Sequence, residues 1–445
     1  MIDVPGVTRG DESRKLQRLV NARWWDFLPG QLLMLTSGNK RGEHFEVGPG
    51  LNEAEIVRVD ETNMVENDEL RVQQTDRTVL ERVPADEAFG DCIDVTHPDF
   101  GAVGDGVADD RAAIQAALDV ADGARVCVPP GTYLVSDRLI LRDNSVLYGA
   151  GYASEIRGGA GAFYILDTDD NVSHVHVSHL RLDSQDQTGN GCIRFQGTHD
   201  AVVEYCFIYN AKSYTILMLD QDGREAQDIR IYNNLIDNTS GQSAIYAYAS
   251  STSVESECIF VKGNTINGSG GDAVNLNVAG HAIVANNVLN YFDEKGGSNA
   301  GVRCDESHNG EIVGNIIGPT DAGDPIGVYV ADSSDITVQG NECRDIGSQG
   351  IYVDNSNNSI VNDNIVLNSG GSNDDDAGIR INDAEDVVVN GNRSYDDRST
   401  KYQSYGVLEF GSSDYNIITD NACRGNSTSG VYVSGANTVS ANNTG

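Results

Sequence analysis

One short phrase keeps returning in the second half of the chain: Val or Ile, two residues, Asn, one residue, then usually an aliphatic. It reads IYNNLI at Asn234, VKGNTI at Asn264, VANNVL at Asn287, IVGNII at Asn315, VQGNEC at Asn341, VNDNIV at Asn364, VNGNRS at Asn392, ITDNAC at Asn421 and VSANNT at Asn442. These asparagines span 208 residues in eight steps, a mean period of 26, and a period of that size marks a solenoid or array. A second phrase follows each Asn after a turn of variable length: Gly or another small residue, a β-branched residue, an outward residue, then another core residue. GCIRF, SAIYAY, DAVNLN, AGVRC, IGVYV, QGIYV, AGIRI and SGVYV carry it, and YGVLEF is a blurred version. Two or three short strands per repeat, joined by Gly, Asn, Ser and Asp corners, describe one coil of a parallel β-helix. Asn suits a tight corner because its short amide tolerates the left-handed conformation. Coils stacked about 4.8 Å apart would let successive amides bond into a ladder. These asparagines are therefore read as structural.

In a repeat array, 445 residues measure the number of coils more than the number of domains. No run of 18 apolar residues occurs, so no transmembrane helix and no membrane insertion are expected. The N-terminal MIDVPGVTRGDESRKLQRL lacks the apolar stretch of a secretory leader, so none is expected either. Net charge is −37, from 67 acidic and 30 basic residues, of which only six are Lys. An acidic, Lys-poor surface keeps a protein hydrated in concentrated salt, which points to a halophile or a virus of one. The same charge disfavours nucleic acid and anionic membrane as partners.

The eight cysteines form no CxxC pair. Cys343 and Cys423 stand where sister repeats carry Ile236, Ile266 and Leu289, and Cys304 stands where they carry Val330 and Val353. The cysteines are read as small core residues and not as disulfide halves or metal ligands. His174, His176 and His179 alternate along HVHVSH, which would place them on one face of a strand as solvated histidines. No metal site is assigned. The run Asn373-Asp374-Asp375-Asp376 is read as a solvated loop, not a calcium site, and no cofactor is expected.

Residues 1–90 lack the repeat and form a separate unit. Leu16, Leu19, Val20, Trp24 and Phe27 fall near helical spacing, so an amphipathic helix is expected from Asp11 to Phe27. QLLMLTS, HFEVGP, AEIVRVDE and ELRVQQ then read as a small β unit. Trp24 and Trp25 read as packing groups, with attachment or oligomer contact as the alternative. Within 91–445, Asp109 or Asp110 caps a helix from about Arg111 to Ala121, with Ile114, Ala117 and Leu118 on one face. A short amphipathic helix there would cover the open end of a solenoid core. Strand Val126 to Val128 and the turn Pro129-Pro130-Gly131 follow.

This segment resembles the pectate-lyase-like superfamily of right-handed parallel β-helix proteins. The matching residues are Asp99-Phe100-Gly101-Ala102, Gly104-Asp105-Gly106, Asp109-Asp110, Ala112-Ala113-Ile114-Gln115-Ala116-Ala117, Pro129-Pro130-Gly131-Thr132-Tyr133 and Gly149-Ala150-Gly151. The resemblance implies an all-β, right-handed parallel β-helix solenoid with a short N-terminal capping helix. Polysaccharide lyases, glycoside hydrolases and bacteriophage tailspikes share that fold. The motif builds the first coil and carries no catalysis, so the reaction class stays open. GGDAV has one Asp where the polygalacturonase signature has paired acids, and neither Gly-His-Gly nor the calcium constellation of pectate lyases is recognisable.

Alternation assigns the outward residues of the second phrase. One row reads Arg194, Tyr246, Asn275, Arg303, Tyr329, Tyr352, Arg380 and Tyr432; two residues on, another reads Gln196, Tyr248, Asn277, Asp305, Ala331, Asp354 and Asn382. In YGVLEF, Leu408 and Phe410 are expected to point inward and Glu409 outward. Aromatic planes stack on sugar rings and Arg and carboxylate groups bond hydroxyls, so Arg194, Tyr246, Asn275, Tyr329, Tyr352 and Tyr432 are the substrate-binding candidates. The catalytic candidates are Asp305, Asp354, Glu409, Arg303 and Arg380. Asp305 and Asp354 lie two coils apart, roughly 10 Å along the axis, near the spacing of an inverting acid–base pair. A lyase would instead use Arg303 or Arg380 to neutralise a uronate. Asp272 and the Asp305-Glu306-Ser307-His308 turn are further acid candidates.

The reading drawn from these features is a tailspike or tail-fibre receptor-binding protein of a haloarchaeal virus, located in the virion tail. It would be a homotrimer that binds cell-surface polysaccharide or glycoprotein glycan, with its cleavage by lyase or hydrolase chemistry left open and residues 1–90 meeting other tail or baseplate proteins. The alternatives are a cellular polysaccharide lyase or glycoside hydrolase of a halophile, extracellular or at the cell surface, and a non-enzymatic β-helix adhesin.

Overall fold

Short β-branched runs between corner residues make three strands per coil, and each strand pairs in parallel with its counterpart one coil away. The structure is a computed structural model. It describes residues 92–445, apart from 169–170, 188, 220–225, 240, 250–255, 294–298, 321–322 and 372–375, together with strands Leu32–Leu35 and Glu43–Glu46. The chain divides into two units, Met1–Gly90 and Asp91–Gly445. In the first, the two short strands pair antiparallel, Leu32 opposite Glu46. The helix expected from Asp11 to Phe27, with Trp24 and Trp25, lies outside the described residues.

The second unit is an all-β parallel solenoid of about 11 turns. Sheet I runs from Cys92–Asp94 to Val439–Ala441, sheet II from Asp105–Asp109 to Arg393–Tyr395, and sheet III from Leu139–Leu141 to Ser429–Tyr432. Inward residues stack coil on coil. In sheet III, Val302, Val328, Ile351, Ile379 and Val407 align in register, and all are fully buried. Each such side chain contributes about 1.5–3 kcal/mol of burial free energy. The small residue that opens the second phrase is explained by close approach. A Cβ on Gly327 would lie 2.3 Å from the Gly350 carbonyl oxygen, and one on Gly350 would lie 2.8 Å from that of Gly378.

The recurring Asn occupies the corner between sheets I and II. Asn264 donates its backbone N–H (2.9 Å) and its Nδ2 (3.1 Å) to Asn287 Oδ1, and Nδ2 also donates to the Ile231 carbonyl at 2.8 Å. Asn287, Asn315, Asn341, Asn364 and Asn392 repeat that pattern. Two details differ from expectation. The left-handed residue is not the ladder Asn but the one before it, as at Asn233, Gly263, Asn286, Gly314, Gly340, Asp363, Gly391 and Asp420. The last rung is Asn443, not Asn442. Ser440 aligns with Ile418, so Asn442 takes the left-handed position (φ 58°) and Asn443 Oδ1 accepts from Asn421. The opposite corner, between sheets III and I, carries a serine ladder. Ser307 N–H donates to Ser333 Oγ at 3.0 Å and Ser333 N–H to Ser356 Oγ at 2.9 Å.

The N-terminal end is closed by helix Arg111–Val120, which buries Ile114, Gln115, Ala117 and Leu118. Asp109 Oδ1 accepts the Arg111 N–H, whereas Asp110 turns back to accept the amides of Val103 and Gly104. Gln115 accepts from the Ile140 N–H (2.8 Å) and donates to the Ile140 carbonyl (3.1 Å), so it stands in for the missing neighbour of the first strand of sheet III. Cys343 stacks between Ile317 and Val366, and Cys304 lies opposite Val330, as core residues. The cysteine reading fails at the first coil, where Cys92 and Cys127 form a disulfide with Cα atoms 5.9 Å apart. Parallel pairing of strand Cys92–Asp94 with Arg125–Val128 sets these distant residues on adjacent coils. His174 and His176 stand outward of buried Val175 and Val177, and His179 follows just past the strand. His174 and His179 adopt positive φ, His176 bonds Glu204 at 3.0 Å, and the His179 ring packs near Tyr148 and Tyr205.

One loop is built around a carboxylate. Asp396 accepts the amides of Arg398, Tyr402 and Gln403 at 2.9–3.0 Å and the Arg398 guanidinium at 2.7 Å. Burial opposes its ionisation, but the guanidinium and amides outweigh that and hold the carboxyl at about 2, against an ordinary 3.8.

Two outcomes follow for stability. Asn341→Ala strands the buried N–H groups of Asn315 and is expected to cost roughly 2–4 kcal/mol in denaturant unfolding, whereas Asn443→Ala, on which one coil leans, costs less. Equal costs would contradict the ladder account. Because the folded carboxyl of Asp396 binds its proton more weakly than the unfolded one, its contribution is present above about pH 4 and lost as pH falls toward 2. Thermal melts from pH 5 to 2 should therefore decline more steeply for the parent than for Asp396→Asn.

Candidate functional site

The outward residues of sheet III form continuous rows because every strand pairs in register. Asp167, Arg194, Leu217, Tyr246, Asn275 and Arg303 align, followed by Tyr329, Tyr352, Arg380, Leu408 and Tyr432. The row expected from alternation is therefore present, with Asp167, Leu217 and Leu408 added. The second row reads Gln196, Leu219, Tyr248, Asn277, Asp305, Ala331, Asp354, Asn382 and Phe410.

The centre of the face is a run of stacked groups. The Arg303 guanidinium lies 4.7 Å from the Tyr329 ring centroid, the Tyr329 and Tyr352 rings are 5.1 Å apart, and Arg380 sits 5.2 Å from Tyr352 and 5.6 Å from Phe410. Beside them, Asp354 accepts the Tyr329 hydroxyl at 3.1 Å and the Asn382 amide at 2.8 Å. Desolvation and the Asp354 carboxylate raise the Tyr329 phenol, and Tyr352 is pushed up to about 12, first by desolvation. Both tyrosines stay neutral donors near neutral pH. Asp305, one coil below Ala331, is raised above the ordinary carboxylate range. Burial is the main cause, with Asp332, Glu306 and Asp272 adding to it and Arg303 pulling the other way.

A second cluster gathers on Asp272, which alternation did not place in either row. Its carboxylate accepts Arg303 Nε at 3.0 Å, Asn275 Nδ2 at 2.6 Å and the Ala300 amide at 2.6 Å. Beside it is a hollow of about 400 Å³ lined by Tyr214, Gln242, Ser243, Tyr246, Asp272 and Asn275, among others. The Tyr214 and Tyr246 rings stack at 4.6 Å, and Tyr248 lies 5.8 Å from Tyr246. Tyr214 and Asp272 stand just before their strands, where period-two reasoning assigns no face; the signal that was available was Asp272 beside Gly270-Gly271, a close-packed corner.

Other candidates are placed apart. Arg194 is held by Asp167 through Nε (2.8 Å) and Nη2 (2.5 Å), two coils from Tyr246. Tyr432 lies at the C-terminal end of the row, half-exposed, with Tyr405 5.9 Å away. The assignment of Glu409 to the outer face is wrong. Val407 stacks between Ile379 and Val431, so alternation turns Glu409 into the core, Leu408 into the outward row and Phe410, 51% exposed, to solvent. Buried Glu409 is saturated by the Asn416 amide, the Thr438 hydroxyl and the backbone N–H groups of Ser434 and Gly435. It has no access to a ligand on the face.

Glu306 is a left-handed corner residue and Ser307 a rung of the serine ladder. Residues 373–375 of the acidic run lie outside the described residues, and Asp376 is buried, accepting the Gly371 amide. Among the described residues no group of three or more His, Cys, Asp or Glu is arranged to hold a metal ion. No helix among them is long and apolar enough to cross a membrane.

Comparison with known proteins agrees with this geometry. A family model described as rhamnogalacturonase A/epimerase, pectate lyase-like, matches residues 93–301, and one described as periplasmic copper-binding protein (NosD) matches residues 295–444. Mannuronan C5-epimerase AlgE6 of Azotobacter vinelandii is 49% identical over 74 residues, 14% of this chain and 8% of the epimerase. Among solved structures, the catalytic unit of the GH87 α-1,3-glucanase of Streptomyces thermodiastaticus superposes with a TM-score of 0.59 at 16% identity, covering 80% of this chain and 69% of the glucanase. The Dettilon tailspike protein superposes with a TM-score of 0.54 at 13% identity, covering 77% and 69%. These matches, with the coil order above, support a right-handed parallel β-helix of the pectate-lyase-like superfamily.

The environment of Asp305 is testable directly. In a carboxyl NMR titration Asp305 should titrate above the ordinary 3.8, and Arg303→Gln should raise it further by removing the nearest positive charge. A midpoint at or below 3.8 in the parent would contradict this environment.

Proposed function

We propose that the outward face of sheet III is a glycan-binding groove and that the chain binds and hydrolyses a surface polysaccharide. The observation that carries this reading is the stacked row Arg303, Tyr329, Tyr352 and Arg380, aligned in register along the solenoid axis. Half-buried tyrosine rings offer flat apolar surfaces for the C–H faces of sugars, while their hydroxyls and the amides of Asn275 and Asn382 offer partners for sugar hydroxyls.

Cleavage would use Asp305 and Asp354, whose surroundings differ. Asp305, held above the ordinary range by burial, is the general acid that protonates the glycosidic oxygen. Asp354, oriented by Tyr329 and Asn382, is the base that takes a proton from the attacking water. Water adds to the anomeric carbon as the C–O bond breaks, and solvent then returns a proton to Asp305 and takes one from Asp354. The two residues are two coils apart in one row, about 10 Å at the backbone, which side-chain reach brings toward the inverting separation of about 6.5–9.5 Å. Hydrolysis is favoured over elimination because, of the two cations a lyase would use on a uronate, Arg303 is committed to Asp272 and Arg380 is stacked against Tyr352 and Phe410.

The assembly-level form of the proposal is a tailspike or tail-fibre protein of a virus of a halophile, trimeric, with residues 1–90 contacting other tail proteins. The similarity to a tailspike fold and the acidic, Lys-poor composition support it.

Reducing-end release and affinity electrophoresis against a panel of surface polysaccharides test the groove. Tyr352→Ala is expected to weaken binding about tenfold through loss of ring stacking. Asp305→Asn should keep binding and lower the cleavage rate by roughly 10²-fold or more. Unchanged affinity in Tyr352→Ala would remove the groove assignment, and unchanged cleavage in Asp305→Asn would remove the acid.

A further inference from the structure

Cations are scarce on this face, and those present are already engaged. Arg194 is bound by both oxygens of Asp167. Arg303, only 16% exposed in its side chain, is ion-paired to Asp272 at 3.0 Å. Arg380 lies between the rings of Tyr352 and Phe410, and Asp383 is close enough for its charge to be felt.

The carboxylates are more numerous. Asp305 and Asp354 stand in the second row, and the corner beside it carries Glu306, Asp332, Asn355 and Asp383 on four successive coils, three of them acids. The positions that face a ligand along the axis are thus tyrosines, amides and acids, with Arg303 and Arg380 among them already engaged by Asp272 and by the rings of Tyr352 and Phe410, inside a chain of net charge −37. Burial raises the Asp305 carboxyl and Arg303 pulls it back, while Asp332, Glu306 and Asp272 add to the rise, so three acids act on this position beside one cation.

We infer that the groove selects uncharged glycans and rejects polyuronates, because each sugar carboxylate would be set beside Asp305, Asp354 and the corner acids with no uncommitted cation to offset it. This rests on the groove reading above and adds its substrate class: a polymer of neutral hexoses, recognised by ring stacking and by hydroxyl hydrogen bonds. Rejection by like charge is a device of specificity more than of affinity. A polymer whose carboxylates are bridged by calcium would evade it, so a chelator belongs in the test.

The experiment compares matched pairs: soluble glucan, mannan and galactan, each against its own C6-oxidised, carboxylated form. Binding of the full chain is measured by affinity electrophoresis with a chelator at about 0.1 M salt, where charges several ångströms apart still interact. For any pair that binds, the neutral member is expected to bind at least about tenfold tighter, with the gap narrowing as salt rises. The double variant Asp305→Asn/Asp354→Asn should narrow the gap at fixed salt by strengthening the carboxylated member. Equal or tighter binding of the carboxylated form, lost in Tyr352→Ala, would overturn this inference and leave the groove standing. Binding of no pair would overturn the groove and the inference together.

Discussion

The buried amide ladder is the contact on which everything else in this protein depends. Each rung gives its backbone N–H and its Nδ2 to the Oδ1 of the next, and Nδ2 also reaches a carbonyl of the coil before, as Asn264 does with Asn287 and Ile231. A buried primary amide satisfied in this way is stabilising, and one left open is costly, so each coil can close only at the height where the next Asn is waiting. The residue before each rung supplies the sharp bend, which is why Gly, Asn or Asp precedes the ladder Asn from Asn233 to Asn442. With the serine ladder on the opposite corner, two of the three corners are pinned by side chains.

Pinned corners give exact register, and register gives the face. Arg303, Tyr329, Tyr352 and Arg380 are 23–28 residues apart in sequence, yet they form one stack along the axis, since each lies opposite the next in paired strands. The same pairing sets Asp305 and Asp354 on one line with Ala331 between them. The chemistry of the face therefore comes from the solenoid as a whole, and slippage of a single coil by one residue would turn Tyr352 inward and Val353 out.

Much of this was legible before any coordinates. The 26-residue period, the inward aliphatics, the core positions of Cys304 and Cys343, the capping helix and the outward row from Arg194 to Tyr432 all follow from alternation and repeat spacing. What was missed lies where those two rules stop. Reading Leu408 and Phe410 as the inward pair puts Glu409 outside; in the fold it is buried, where four donors from Asn416, Ser434, Gly435 and Thr438 offset the cost of its carboxylate, and none of them is visible from its own strand. Val439 imitates the usual start of the phrase and so points to Asn442, whereas pairing puts Ser440 in line with Ile418 and makes Asn443 the rung. The Cys92–Cys127 disulfide and the Asp272 cluster join residues through loops of irregular length, which the period does not reach.

The central claim is that the outward row of sheet III is where a glycan lies. A crystal structure of the chain soaked with a neutral oligosaccharide tests it most directly. The account predicts sugar rings over Tyr329 and Tyr352, with the oligosaccharide running along the solenoid axis and a glycosidic oxygen near Asp305. Sugar seated on sheet I or sheet II while this row stays empty would contradict it.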